Sequence, residues 1–508
     1  MILKSSIIIS FCTLISRVFG YAREILMATF IGAGDYANAF HIAFRFSNVF
    51  RSFFAEGAFT ASFVPMFSRK YTSDSQTALK YASHVQMALI IVLTLLTIIV
   101  EIFMPQIMKV LAPGFVNEPK TFRLVVILSR ITFPYLIFMS LSALYGGMLS
   151  SINKFTAVAI SPLILNVSMI IALIFFNDHP KLVHYLCLSI VLSGIAQLVY
   201  IIINSKKYNI RLRITKIVLD QDIRKFIKTM LPGILSASIV QINLWVSTII
   251  ATFYPKAVSL IYYADRIVQL PLALIGTSIS VVLLPNFSKL HEKNDYNSIN
   301  NLINRTCEIC MFLCIPTSFI VLGMSEPIIS ATFQHGKFIA EDTIATAQLL
   351  AILIMALPSF ILNKIFTPVF YANYDTKTPF LIAVFSLITN LAFNLLFLQL
   401  WHSFLGIAIS TLISSCINSL LLMIIAYHRK LFRFDRRLLI RLSAILCGSI
   451  LLYFAVGQVV TFIALPNCIE IINVLIQLGI LFSAYLLFSI VLKIVDIREL
   501  KQILRRKK

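Results

Sequence analysis

The chain has 508 residues, of which 59% are hydrophobic and 13% charged, and its 43 lysines and arginines against 21 acids give a formal charge of +22. A mean hydropathy of +0.90 lies far above that of soluble globular domains. This composition excludes a soluble enzyme and defines a polytopic membrane protein, because a spanning helix needs roughly 20 mostly apolar residues and such runs recur along the whole chain.

In chain order, helices are predicted at about 2–31, 38–68, 80–111, 121–150, 155–177 and 182–203, then at about 224–253, 258–288, 300–324, 343–372, 378–400 and 404–427. A final pair at about 440–462 and 471–494 makes fourteen. The opening run MILKSSIIISFCTL resembles the start of a signal peptide, but Arg17 interrupts it and no small-residue cleavage site follows, so it reads as a retained first helix. The eight cysteines (Cys12, Cys187, Cys307, Cys310, Cys314, Cys416, Cys447, Cys468) lie mostly in apolar segments, which argues against a disulfide framework. Cys307, Cys310 and Cys314 share one face of the ninth helix without a histidine beside them, a pattern that reads as small-residue packing rather than a metal site. A Walker-type phosphate loop is absent, which removes direct ATP use, and the short outside loops offer no seat for enzyme chemistry.

The basic residues concentrate in alternate loops: the linker 204–223, the loop 428–439 and the tail 495–508 are rich in them, whereas the intervening loops hold Lys120, Lys181, Lys256 and Lys337. Under the positive-inside rule both termini are cytoplasmic. The net charge is then orientation signal and attraction to anionic membrane lipids, not a nucleic-acid surface.

An internal repeat is visible within the chain. A shift of 220 residues lays FVPMFSRK (Phe63 to Lys70) on LLPNFSKL (Leu283 to Leu290) and Ala37 on Ala257, and a shift of 224 lays Pro134 on Pro358 and Asn166 on Asn390. The offset spans six helices, so the predicted architecture is an N-terminal six-helix half (1–203), a C-terminal six-helix half (224–427) related as a parallel repeat, and helices 13 and 14 (440–494).

Charged residues inside the predicted spans carry the functional signal, because each costs about 2.5–3.5 kcal/mol at the bilayer centre. Helix 1 holds Arg17, Arg23 and Glu24; helix 2 holds Arg45, Asn48, Arg51, Ser52 and Glu56; helix 8 holds the adjacent Asp265 and Arg266. At 100° per residue Arg17 and Glu24 fall on one face, with Arg23 about 120° away, and Arg45, Asn48, Ser52 and Glu56 form a stripe. Asn38 and Ser259, near the mouths of helices 2 and 8, complete the polar set. Pairing of each arginine with an acid, as Arg23 with Glu24, would explain packing alone. Five arginines (17, 23, 45, 51, 266) nevertheless exceed the four acids (24, 56, 265 and Asp35), and the surplus calls for a counter-anion. Converging guanidinium forks suit a pyrophosphate. Glu101, Arg130 and Lys364 are further intramembrane charges, assigned either to the cavity or to helix anchoring. Gly20, Gly146, Gly147, Pro232, Gly233 and Pro358 are candidate flexion points.

The runs SRVFGYAREI, GAG at 32–34, NAFHIAFRFSN, FRSFFAEGAFTASFVPMFS and YYADR resemble the MurJ (MviN) lipid II flippase family of the multidrug/oligosaccharidyl-lipid/polysaccharide exporter superfamily. The resemblance covers nearly the whole chain. It implies an inner-membrane transporter that takes lipid II, the undecaprenyl-pyrophosphate-linked disaccharide-pentapeptide, from the cytoplasmic to the periplasmic leaflet for peptidoglycan synthesis. It further implies that Arg17, Arg23, Arg51 and Arg266 hold the pyrophosphate in a central cavity, that helices 13 and 14 form a groove for the polyprenyl tail, and that cell-wall synthesis proteins are partners. Three positions depart from the family pattern: Asn38 stands where an aspartate is common, Ser52 replaces the second arginine of a pair, and Ser47 replaces a proline. Helix 7 lacks the carboxylate of members that bind sodium, so no metal or other cofactor is expected. The rival functions are export of another lipid-linked oligosaccharide or an amphipathic drug, and a non-transporting cell-wall scaffold.

Overall fold

The structure, a computed structural model, describes residues 2–55, 57–215, 221–292, 295–373, 375–462 and 470–491. All regular structure there is helical apart from turns and one 3-10 segment at Pro113–Phe115. The chain divides into two compact groups, Met1–Ser259 with His335–Phe338, and Leu260–Gln334 with Ile339–Lys508.

The first group contains α1 (Ile2–Ile31), α2 (Asp35–Phe54), α3 (Ala58–Ser73), α4 (Ser75–Leu111), α5 (Pro119–Thr132), α6 (Tyr135–Ser151), α7 (Thr156–Phe175), α8 (Leu182–Lys206) and α9 (Gln221–Ala251). Helix α1 packs on α7, α7 on α8, α2 on α5, and α3 on both α6 and α9. A stack of Phe59, Phe63 and Phe67 with centroids 5.5 Å apart forms one face of α3, and Phe226 of α9 meets Phe59 edge-on at 5.7 Å. Such ring geometry adds to what burial alone provides. On α4 the order is inverted: Val92, Leu95, Ile98, Ile102 and Phe103 are exposed, as a surface meeting hydrocarbon must be. Asp74 starts α4 by accepting hydrogen bonds from the amides of Gln76 and Thr77, both at 3.0 Å. The Thr77 hydroxyl, which also donates to this carboxylate, and then the two amides hold it below the ordinary carboxylate range.

The second group holds most of α10 (Ala257–Glu292) and then α11 (Tyr296–Gly323), α12 (Ser325–Phe333), α13 (Ala340–Ile354), α14 (Leu357–Ala372), α15 (Lys377–Leu400), α16 (Leu405–His428), α17 (Arg436–Phe462) and α18 (Glu470–Val491). Here α11 packs on α17, α15 on α16, and α14 on α16. Eleven membrane-length apolar spans occur among the described residues.

Three predicted helices are each broken in two. The predicted 38–68 helix stops at Phe54 and restarts at Ala58, where Gly57 takes φ +48, a conformation that costs other residues roughly 1–2 kcal/mol. The predicted 121–150 helix breaks ahead of Pro134 and the predicted 343–372 helix ahead of Pro358. Proline lacks the amide proton and crowds the preceding turn, so each helix ends and restarts around it. The short α12 was not predicted: its nine residues are too few to give a span-length signal.

Candidate functional site

The intramembrane charges fall into separate environments. Arg23 and Glu24 are adjacent on α1 and buried, with side chains 9% and 3% exposed, and they form an ion pair. Arg23 also donates to Asn166 Oδ1 at 2.9 Å, contacts Met169 Sδ at 3.6 Å, and lies 5.9 Å from the centre of the Phe44 ring. Asn166 completes the connection by donating to the carbonyl of Ser16 at 3.0 Å. The pair therefore ties α1 to α7. Glu24 meets its neighbour Arg23 rather than Arg17, because the long guanidinium stem reaches around the helix where the angular projection places only Cβ directions.

Arg17 is exposed and makes no hydrogen bond or ion pair among the described residues. Arg45 donates to Thr248 Oγ1 on α9, which lies in the same group. Asn48 and Ser52 turn back on their own helix, bonding the carbonyls of Phe44 at 2.9 Å and Val49 at 2.7 Å. The stripe read from helical spacing is thus divided among different partners, and its fourth member, Glu56, lies outside the described residues. Asn38 is buried and accepts from the amide of Ser259 at 2.9 Å, which joins the start of α2 to the start of α10. An aspartate could accept this bond as well, so the departure at position 38 retains the acceptor while removing the charge.

Arg51 is half-buried and lines a cavity of about 470 Å³ formed within the first group. In the second group, Arg266 is half-buried with its guanidinium 4.3 Å from the centre of the Tyr262 ring, a cation–π arrangement. Its neighbour Asp265 accepts from Gln269 at 3.3 Å. Lys364 passes over Gly276: a Cβ there would stand 2.6 Å from Lys364 Cδ, so the lysine stem occupies the space that glycine leaves. Glu101 and Arg130 face each other across α4 and α5 at 3.8 Å. Cys307, Cys310 and Cys314 are buried, and no group able to hold a metal occurs among the described residues.

Sequence reasoning missed two features. Asn166 entered it only as a repeat match, although an amide inside an apolar run is the visible mark of a buried hydrogen bond. The second is a cluster at the foot of α11 and α17, where Glu308 receives Arg305, Arg437 and Arg441, and Arg305 also binds Asp435. Asn304 donates to the Arg433 carbonyl at 2.9 Å and accepts from the Asp435 amide at 3.2 Å. Part of the basic charge read as orientation signal is consequently structural.

Arginines set into the apolar helices of an all-helical membrane protein mark a substrate or ion pathway, the signature of a transporter. Comparison with known proteins makes this specific: the family model described as "Lipid II flippase MurJ" matches residues 27–474. The chain belongs to that family. A relative from Rickettsia prowazekii (strain Madrid E), described as "Probable lipid II flippase MurJ", is 39% identical over 416 residues, 82% of each chain. A "Lipid II flippase MurJ" from Burkholderia cenocepacia is 33% identical over 429 residues, again 82% of each. Among solved structures, "Lipid II flippase MurJ, inward closed conformation" superposes with a TM-score of 0.81 at 27% identity, covering 96% of this chain and 98% of that one. An inward-facing multidrug resistance MATE family transporter of the MOP superfamily shares the fold, with a TM-score of 0.68 at 12% identity, over 84% of this chain and 98% of that one.

Proposed function

We propose that this chain flips lipid II across the bacterial inner membrane, with intramembrane arginines receiving the pyrophosphate. The observation that carries the reading is the coincidence of the family match over 27–474 with arginines at 51 and 266, half-buried on α2 and α10. A sugar-peptide headgroup cannot cross hydrocarbon unaided, since each unsatisfied polar or charged group costs several kcal/mol there. Guanidinium groups offset that cost by supplying fixed, paired donors to phosphate oxygens.

In this mechanism Arg17, Arg51 and Arg266 meet the pyrophosphate. Arg23, already engaged by Glu24 and Asn166, acts in part by holding α1 in place. Fourteen helices form two six-helix halves that rock about the site, with helices 13 and 14 guiding the lipid tail. Support for the repeat comes from Pro134 and Pro358, which break corresponding spans, and from Asn166 and Asn390, which are both buried and bond a neighbouring helix. A membrane potential negative inside favours outward movement of the anionic substrate by about 2.3 kcal/mol per charge per 100 mV.

The test is complementation of a flippase-depleted bacterium by the wild type and by Arg17→Ala, Arg51→Ala and Arg266→Ala, with membrane abundance measured. Growth with wild type and lysis with abundant variants is the expected result. Growth with all variants would remove the arginines from the mechanism, and failure of an abundant wild type would overturn the lipid II assignment.

A further inference from the structure

The loop between α16 and α17 belongs to the second group, and the positive-inside rule assigns it to the cytoplasmic side. It is fastened in place. Phe432 is buried against Phe366 and Phe434, with ring centroids 5.2 and 4.8 Å away. The Arg433 amide donates to Asn300 Oδ1 at 2.7 Å, and its carbonyl accepts from Asn304 at 2.9 Å, so the loop is tied to α11. Two cavities open beside it. One, of about 240 Å³, draws amides and cations into its lining: Asn297 and Asn300 of α11, Asn373 at the end of α14, Lys430 and Arg433. The other, of about 430 Å³, is largely apolar and aromatic, with Met423, Ile424, Tyr427 and His428 from the last turns of α16 together with Phe434. Arg433 lines both.

Charge at these cavities is not balanced by the protein. Asp375 is engaged by Arg429, Asp435 by Arg305, and Glu308 by Arg305, Arg437 and Arg441. Asp295, at the start of α11, is not among the lining residues and accepts from the Ser298 amide at 3.0 Å. Lys430 and Arg433 are exposed, and their side chains make no hydrogen bond or ion pair among the described residues. Lys430 also takes φ +59 just past the end of α16, so a lysine there carries backbone strain that a glycine would not. We propose that the two cavities form one site for an anionic phospholipid of the cytoplasmic leaflet, of the phosphatidylglycerol type. Its phosphodiester lies between Lys430 and Arg433, and its headgroup hydroxyls meet the side-chain amides of Asn297 and Asn300. The glycerol backbone and the upper acyl chains pass Arg433 and lie against Tyr427 and Phe434, at the level where aromatic side chains meet a bilayer interface. A zwitterionic headgroup would bring its own cation against the two basic residues. A free phosphate would use the polar cavity and leave the aromatic one unfilled. This is a defined site, distinct from the diffuse attraction of basic loops to anionic lipid, and it shares no residue with the arginines proposed for transport.

The test places the full chain carrying Phe434→Trp in phosphatidylcholine vesicles, in which phosphatidylglycerol or phosphatidylcholine brominated on its acyl chains replaces part of the lipid. Quenching beyond that of the protein without the added indole reports which lipid occupies the aromatic cavity. Brominated phosphatidylglycerol is expected to be preferred at least fivefold over brominated phosphatidylcholine. The preference should fall to twofold or less in Lys430→Gln and in Arg433→Gln. It should be retained in Arg436→Gln, which removes the same charge from an exposed neighbour outside both cavities. If Phe434→Trp fails to give a monodisperse protein, Tyr427→Trp serves as the reporter. Equal quenching by the two lipids, or an equal loss in Arg436→Gln, would overturn the proposal. Displacement of the brominated phosphatidylglycerol by millimolar inorganic phosphate would also overturn it, by showing a soluble phosphate to be the occupant.

Discussion

Removing the charge of Glu24 tests whether the α1–α7 connection is the structural core of the charged segment. The pair is nearly fully buried, with 9% and 3% side-chain exposure, and Arg23 has a further hydrogen bond to Asn166. Glu24→Gln leaves the guanidinium buried without its carboxylate, an imbalance worth about 3–5 kcal/mol. Asn166→Ala, which removes a bond to a charged group, should cost about 1.5–3 kcal/mol. Replacing both charges together, Arg23→Met with Glu24→Leu, removes the desolvation burden along with the attraction and should return stability to within about 1 kcal/mol of wild type or above it. Reversible unfolding in mixed detergent micelles measures all three, and lipid II transport in proteoliposomes measures what Arg23 contributes beyond packing. A stable double variant that still transports assigns Arg23 to architecture, and a stable one that does not assigns it to the substrate. Glu24→Gln protein as stable as wild type would refute the argument, because a buried ion pair cannot lose one member without cost.

Glu308→Gln leaves Arg305, Arg437 and Arg441 around a neutral amide and should expose the segment between α16 and α17 to protease several-fold faster, with a loss of about 3–5 kcal/mol. Gly57→Val forces a β-branched residue into φ +48 and should lower stability by about 1–2 kcal/mol, read by the same unfolding assay; an unchanged midpoint would show that the break tolerates a side chain. At Asp375, partial burial pushes the carboxyl up, but hydrogen bonds from Thr378 and the Arg429 guanidinium outweigh it and hold it below the ordinary carboxylate value. Its stabilising contribution is therefore complete above the unfolded-state value near 3.8 and lost as pH falls through the lower folded value. The Arg429 side chain is half exposed, so Asp375→Asn should cost at most about 1 kcal/mol near neutral pH and nothing at the acid limit.

The helical class was legible because apolar runs of span length admit no other reading, and the resemblance carried by SRVFGYAREI and its companion runs pointed to the family to which the chain belongs. Helix interruptions were harder. Pro134 and Pro358 were noted as repeat positions, and Pro358 as a flexion point, but hydropathy stays high across both breaks and shows one continuous span. Gly57 carried still less signal, since a glycine within an apolar run is more often a packing residue than a positive-φ turn. The partners of charged side chains were the least legible. Arg45 is matched to Thr248 and Arg305 to Asp435 across separations of more than a hundred residues, and helical spacing contains no information about such pairs.

The proline-broken spans also bear on how the protein is matched to its membrane. Pro119–Ser151 and Ala340–Ala372 are both 33 residues long, which as straight helices would measure about 50 Å, against a hydrocarbon layer of about 30 Å. An unbroken rod of that length could meet the bilayer only by tilting steeply or by thickening the lipid around it. Two short rods joined at a proline can change their angle instead, so their projected height adjusts without stretching the surrounding lipid. These two spans should accordingly tolerate bilayers of different acyl-chain length better than versions straightened by Pro134→Ala and Pro358→Ala.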